Sequence, residues 1–177
     1  MENIETKVDI VFLGLAQNCE IHLPKFFDVI NDLSKYKKVK VFIGENGSND
    51  YTFDLIQKNI SLNNNINFID TTFIEKFSDR IKRLALARQT LKNQLVKENI
   101  NPKFVCVVDL DDVLNKNFNS ILIDNLEKIL EQEQDKYFGV SLNSKPYYYD
   151  ILNFESDEFL NDDIKKLQNN RSIKSYN

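Results

Sequence analysis

The sequence is poor in residues that usually announce chemistry, with no Trp, one His, one Met, 2 Cys, 3 Pro and 4 Gly among 177 residues. A lone His22, placed beside Leu23 and Pro24 at a helix start, has no second histidine with which to form a dyad or a metal pair. Cys19 and Cys106 are far apart, and Cys106 lies in an apolar run where a thiol behaves as a small hydrophobe, so both are expected reduced. The few prolines and glycines mark no linker, and no internal repeat is visible. No block of five or more Lys or Arg occurs and the net charge is -4. A nucleic-acid partner is therefore not expected, and any phosphate must be bound by a local site. No uncharged apolar run approaches the roughly 18 to 20 residues of a membrane span. The start, MENIETKVD, is polar and acidic rather than secretory, so no transmembrane segment and a soluble, cytoplasmic protein are expected.

What is present suffices for a core. Apolar residues make up 42% of the chain and charged residues 28%, and the length is that of one domain. Three short apolar runs, 10–15, 39–43 and 104–108, are too short for helices and read as strands buried on both faces. Between the first two, apolar residues at Phe26, Phe27, Val29, Ile30 and Leu33 follow a helical spacing, with Pro24 suited to the first turn. Further helices are expected over 51–60, 77–99 and 119–133, with short strands over 67–70 and 137–142. Strands alternating with helices predict an α/β fold: a single domain whose mostly parallel sheet is covered by helices. After Asp150 the chain turns acidic and polar, and 161–177 reads as a surface helix and a frayed tail.

The polar residues at the end of each run are informative. The first run ends in Ala16-Gln17-Asn18, the second in Gly44-Glu45-Asn46-Gly47-Ser48, and the third in Asp109-Leu110-Asp111-Asp112. In a parallel sheet these ends share one edge, where ligands of open α/β sheets bind. The third end crowds three carboxylates into four positions, which repel unless a cation such as Mg²⁺ or Mn²⁺ neutralises them. Asp109 and Asp111 share a side of an extended chain and form the better metal pair, while Asp112 is free to cap the next helix or turn. In the long helix the seam Ile81, Leu84, Arg88, Leu91, Leu95 carries arginine where an apolar residue belongs. Arg88 should thus point inward, toward the Asp109 cluster or a ligand phosphate. Arg80 and Arg83 lie nearby, at least one on a solvated face. Gly47 permits a sharp turn, and Ser48 or Asn49 is placed to cap the next helix. The run Tyr147-Tyr148-Tyr149-Asp150 serves either sugar stacking or packing against the tail.

In this order and spacing, AQN, ENGSNDYT, RLALARQTLKNQL, VVDLDDV and SKPYYYDIL resemble the nucleotide-sugar glycosyltransferases of the GT-A fold, and most closely their capsule-associated, mannosyltransferase-like branch. The likeness runs over about 8–152. It implies a donor-nucleotide part, 8–115, and an abbreviated acceptor part, 116–177. It also implies a hexosyl transfer from a UDP- or GDP-linked donor to an acceptor that the sequence does not identify. Carried over, Ala16, Gln17, Glu45 and Asn46 would face the nucleoside, and Arg83 and Arg88 the diphosphate. Asp109 and Leu110 belong to the DxD-type motif, with Asp109 and Asp111 holding ribose and a Mn²⁺ or Mg²⁺ ion. The family often has Arg-Asn where this chain has Gln17-Asn18 and Arg88-Gln89. The catalytic base of inverting members comes from the C-terminal half, where Asp150 is the candidate, beside Glu155, Asp157 and Glu158.

Two other readings compete. VVDLDDVL also resembles the first motif of haloacid-dehalogenase-type phosphatases, with Asp109 as nucleophile and Asp111 as general acid, although those enzymes place it near the chain start. The abbreviated C-terminal part would also suit a non-catalytic nucleotide-sugar-binding domain, or one completed by a homo-oligomer or a partner chain.

Overall fold

A computed structural model of the chain describes residues 6–110 and 118–132. The chain divides into two compact units, Met1–Ile129 and Leu130–Asn177, and the first holds the sheet. The described elements are β1 (Thr6–Ala16), α1 (Leu23–Leu33), β2 (Val39–Glu45), α2 (Thr52–Leu62), β3 (Ile66–Asp70), α3 (Arg80–Lys97), β4 (Ile100–Asp109) and α4 (Ser120–Gln132), with a 3-10 turn at Thr72–Lys76. The four strands form one sheet in the order β3-β2-β1-β4. Every pairing is parallel. This is the expected α/β architecture, a Rossmann-like parallel sheet flanked by helices.

Side-chain alternation along the strands divides the core between two faces. On one, Ile10, Phe12 and Ala16 of β1 pack with Phe26, Ile30 and Leu33 of α1 and Ile123 of α4. Phe26 is fully buried, meets Phe12 edge-on at 6.0 Å between ring centroids and stacks on Phe118 at 6.4 Å. Burying such a ring stabilises the fold by about 2–3 kcal/mol. On the other face, Val11, Leu13 and Phe42 meet Leu91, with Leu95 packed alongside, which seats α3 over β1 and β2. Beyond their backbone pairing, a close side-chain contact ties the residue after β4 to β1. A Cβ added at Gly14 would stand 2.8 Å from Cδ1 of Leu110, whose side chain is fully buried against that glycine.

Several expectations are corrected. The run 104–108 is not buried on both faces: Val105 is 50% exposed and Val107 59%. β4 is an edge strand of the described sheet, and α3 packs chiefly over its neighbours. The long helix begins at Arg80 rather than at 77, because the Asp79 carboxylate caps it by accepting from the Ile81 and Lys82 amides. The seam of α3 also fails at its start, where Ile81 is 61% exposed, and the helix meets the sheet core through Leu91 and Leu95 further along. Neither Ser48 nor Asn49 caps α2. That helix starts at Thr52, whose amide donates to the Asp50 carboxylate. The expected strand 137–142 lies outside the described residues.

Far from these strands' carboxyl ends, the turn after α1 is joined to α4 by charge. Lys37 Nζ donates to Glu127 at 2.6 Å and lies 3.2 Å from Asp124, while Tyr36 donates to Asp124 at 3.0 Å. Burial pulls the Lys37 ammonium down, but the bonds and charge of Glu127 and Asp124 outweigh it and hold its pKa above the ordinary 10.5. Lys37→Met would leave two partly buried carboxylates without a counter-ion, and should cost about 1–3 kcal/mol in urea unfolding. Because the folded-state pKa is raised, the contribution is complete below 10.5 and is lost only as pH rises through the folded value. The difference between wild type and variant should therefore hold from about pH 7 to 9 and shrink only in stronger base.

Candidate functional site

Parallel register fixes the site. Ala16 is paired with Glu45, Glu45 with Asp70, and Leu15 with Asp109, so four strand ends meet along one edge. Above them a cavity of about 210 Å³ opens between the strand ends and the start of α3. Its floor is Leu15, Ala16 and Gly44. Gly44 keeps this floor uncrowded, because a Cβ would come 3.0 Å from a Leu15 methyl and 3.1 Å from the Thr71 methyl. Gln17 and Asn46 form the side toward β2, and Arg80, Arg83 and Ala87 form the helical wall. Asp109 closes the remaining side.

The loops after β1 and β2 are clasped to each other by side chains. The Asn18 amide donates to Ser48 Oγ at 2.9 Å, and the Asn49 amide donates to Asn18 Oδ1 at 2.8 Å. Below this reciprocal pair, the Cys19 amide donates to the buried Thr52 hydroxyl and the Glu20 amide to Asp50, while the Tyr51 amide donates to Glu20. Asn18 takes a positive φ of 51° to do this, a conformation that Asn tolerates better than most residues. Gly47 takes one of 65° at the turn. Glu45, only 4% exposed, accepts from the Ser48 amide at 2.5 Å, so its carboxylate holds the turn and does not line the cavity. Gln17 Nε2 donates to the Asn46 carbonyl at 2.9 Å, and Asn46 Oδ1 is buried without a hydrogen-bond partner. The cavity side toward β2 thus presents amide groups on a braced loop.

The opposite wall is cationic. Arg80 is the first residue of α3 and Arg83 is in its first turn. Helix N-termini carry partial positive charge and favour anions, so arginines there oppose the macrodipole. Among the described residues neither has a carboxylate partner. Arg88, two turns on, extends Nη2 to both oxygens of Asp109, at 3.1 and 3.3 Å. Its Nε is buried with no acceptor. The pair is partly hydrated, with side-chain exposures of 40% and 43%.

Of the sequence-derived site residues, the structure brings Ala16, Gln17, Asn46, Arg83 and Asp109 together around the cavity, with Arg88 joined through Asp109. The Leu110 side chain is in the core, and its amide donates to the Leu15 carbonyl. Asp111 and Asp150 lie outside the described residues. Among the described residues no group of three or more His, Cys, Asp or Glu could hold a metal ion. Arg80 and Arg83 both line the cavity, and Arg80 is also exposed, in keeping with a solvated face for at least one of them; the place of Arg80 at a helix start, against the dipole, is the available signal for its role. Thr71 and Ile74, from the 3-10 turn, also line it and carry no motif. Cys106 is no hidden nucleophile, because burial pushes its thiol up to about 12 and leaves it protonated at neutral pH. No described helix is long and apolar enough to cross a membrane.

No family model and no curated protein matches the chain. Among solved structures, that of S. aureus TarS 1-349 is similar at 15% identity and a TM-score of 0.48, over 76% of this chain and 39% of that one. The chain therefore spans well under half of that structure.

Proposed function

We propose that this domain binds a nucleotide sugar along the carboxyl edge of its sheet and transfers the sugar to an acceptor. The observation that carries the reading is the cationic wall: Arg80 and Arg83, unpaired among the described residues at the start of α3, face a cavity whose other side offers the amides of Gln17 and Asn46. A nucleoside diphosphate has that polarity, with a hydrogen-bonding base at one end and two phosphates at the other. The base would lie by Ala16, Gln17 and Asn46, on the loop that Glu45 braces. The phosphates would lie against Arg80 and Arg83, within reach of Arg88. Breaking the bond between sugar and phosphate leaves charge on the diphosphate, and guanidinium groups already in place stabilise that charge without reorganising.

A divalent cation, Mn²⁺ or Mg²⁺, would supply Lewis-acid stabilisation of the same leaving group. Asp109 fits as one hard oxygen donor at the cavity lip, and Asp111, the proposed second ligand, lies outside the described residues. Asp150 stays the proposed base of the acceptor side. The nucleotide-sugar class is what the geometry favours. The capsule-associated branch, the UDP or GDP identity and the hexosyl group rest on motif resemblance alone; a cytoplasmic location and a partner or second copy at the acceptor side are further proposals. The phosphatase reading is less favoured, because the clasped loops after β1 and β2 and the arginine wall of α3 would have no role in it.

Thermal-shift titration with UDP and GDP, with and without Mn²⁺, tests the pocket. Stabilisation that grows with Mn²⁺ and is lost in Asp111→Ala is expected. Its absence for both nucleotides under all conditions overturns the reading. Release of free nucleoside diphosphate from UDP- and GDP-sugars then separates transfer from mere binding. Hydrolysis of a phosphomonoester that vanishes in Asp109→Asn would favour the phosphatase instead.

A further inference from the structure

We propose that Asp109 is a resident competitor for the anion site: in the ligand-free domain its carboxylate occupies Arg88, and a diphosphate binds by displacing it. The proposal rests on the nucleotide-sugar reading and concerns how that same site is regulated. It starts from the geometry of one ion pair. A carboxylate that fully satisfies an arginine takes two parallel N–H bonds from the guanidinium edge. Here a single nitrogen, Nη2, meets both Asp109 oxygens, and Arg88 Nε stays buried with no acceptor. The guanidinium is therefore only part-used by its partner. A phosphate has three oxygens in a pyramid and could take Nη2 and Nε together.

The pair is also weak enough to be exchanged. Both side chains are about two-fifths exposed, at 40% and 43%, and pairs of that kind shift equilibria by no more than about fivefold. Asp109 lies on the cavity wall, whereas Arg88 meets the cavity only through it. An anion held first by Arg80 and Arg83 would thus arrive beside Asp109. Repulsion between the two anions and the pull of Arg88 then act in the same direction, swinging Arg88 onto the phosphate and freeing the carboxylate. Asp109 has two states in this scheme: bound to arginine when the site is empty, and released to other cations when it is full.

The scheme predicts a gain where a simple ligand role predicts a loss. By isothermal titration in EDTA, Asp109→Asn should bind inorganic pyrophosphate about three- to fivefold more tightly than wild type, because the internal competitor is gone. Arg88→Gln should bind it more weakly. In the Arg88→Gln background, Asp109→Asn should give a clearly smaller gain, because only the direct repulsion between carboxylate and anion is relieved and there is no guanidinium left to release. Asp70→Asn removes the same charge from the same sheet edge and should change affinity less than about twofold, which separates the latch from a general field effect. Asp109→Ala is a second way to remove the competitor if the amide variant does not fold. Unchanged or weaker metal-free binding in both Asp109 variants would overturn the latch, as would a gain that is undiminished in the Arg88→Gln background. Parallel titrations with UDP and GDP test the reading beneath it. If wild type takes pyrophosphate but neither nucleotide, with or without Mn²⁺, the nucleotide reading falls while the pyrophosphate cycle still decides the exchange at Arg88.

Discussion

Leu110→Ala should lower the free energy of unfolding by about 2–5 kcal/mol, measured by urea denaturation with an unchanged slope. Leu110 is fully buried, and its side chain fills the space that Gly14 leaves beside it on β1. Truncation removes apolar contact and leaves a cavity between rigid backbone segments, where collapse is difficult. The converse change should hurt as well. In Gly14→Ala the new Cβ would lie 2.8 Å from Leu110 Cδ1 and 3.0 Å from its Cγ, and the crowding should cost about 1–3 kcal/mol. Combining the two should cost less than their sum, because the smaller side chain at 110 leaves room for the methyl at 14. Simple additivity would mean that the two residues do not depend on one another. The pair also bears on function, because Leu110 directly follows Asp109 and anchors the end of β4 beneath the cavity.

Removing the cationic wall should have the largest effect on ligand binding. Hydrogen bonds to charged groups are worth about 1.5–3 kcal/mol each, so Arg83→Ala should weaken nucleoside diphosphate affinity roughly ten- to a hundredfold. Arg80 is exposed, and its loss alone should cost less. The double variant should bind most weakly, and raising salt should affect it less than wild type. Arg83→Lys should recover only part of the affinity, because an ammonium cannot present a planar fork to phosphate oxygens. Calorimetry with UDP or GDP at two salt concentrations reads all of this. Wild-type affinity in the double variant would show that the phosphates do not use this wall. Taking two cations away from the positive end of the helix dipole should meanwhile leave α3 no less stable, so loss of binding is not explained by loss of fold.

The alternation of strands and helices is legible in the sequence because apolar runs and helical spacing are local signals. Ile10, Val41 and Phe26 each do what their pattern implies. Arg88 is legible for the opposite reason, as a charge on an apolar seam, and it does face the Asp109 carboxylate. The exposure of Val105 and Val107 is not legible. An apolar run is the same string whether its strand is central or at an edge, and only strand order and helix placement decide which. Ser48 and Asn49 mislead because a polar residue before a helix suits a cap, while here the better partner is a loop thirty residues away. Arg80 is legible only as a neighbour of Arg88, because its meaning depends on where α3 starts, and Asp79 sets that start.

The clasp between the first two loops bears on the thermodynamics of binding. Seven consecutive or near-consecutive amides, those of Asn18, Cys19, Glu20, Ser48, Asn49, Tyr51 and Thr52, each donate to a side-chain oxygen. Loops that would otherwise sample many conformations have surrendered that freedom on folding, before any ligand arrives. A ligand entering beside them has little backbone left to order, so the entropy lost on association falls mainly on the ligand itself. Discrimination among ligands is then a property of a rim that is already set, and it cannot be improved by letting the loops close more tightly around the preferred one.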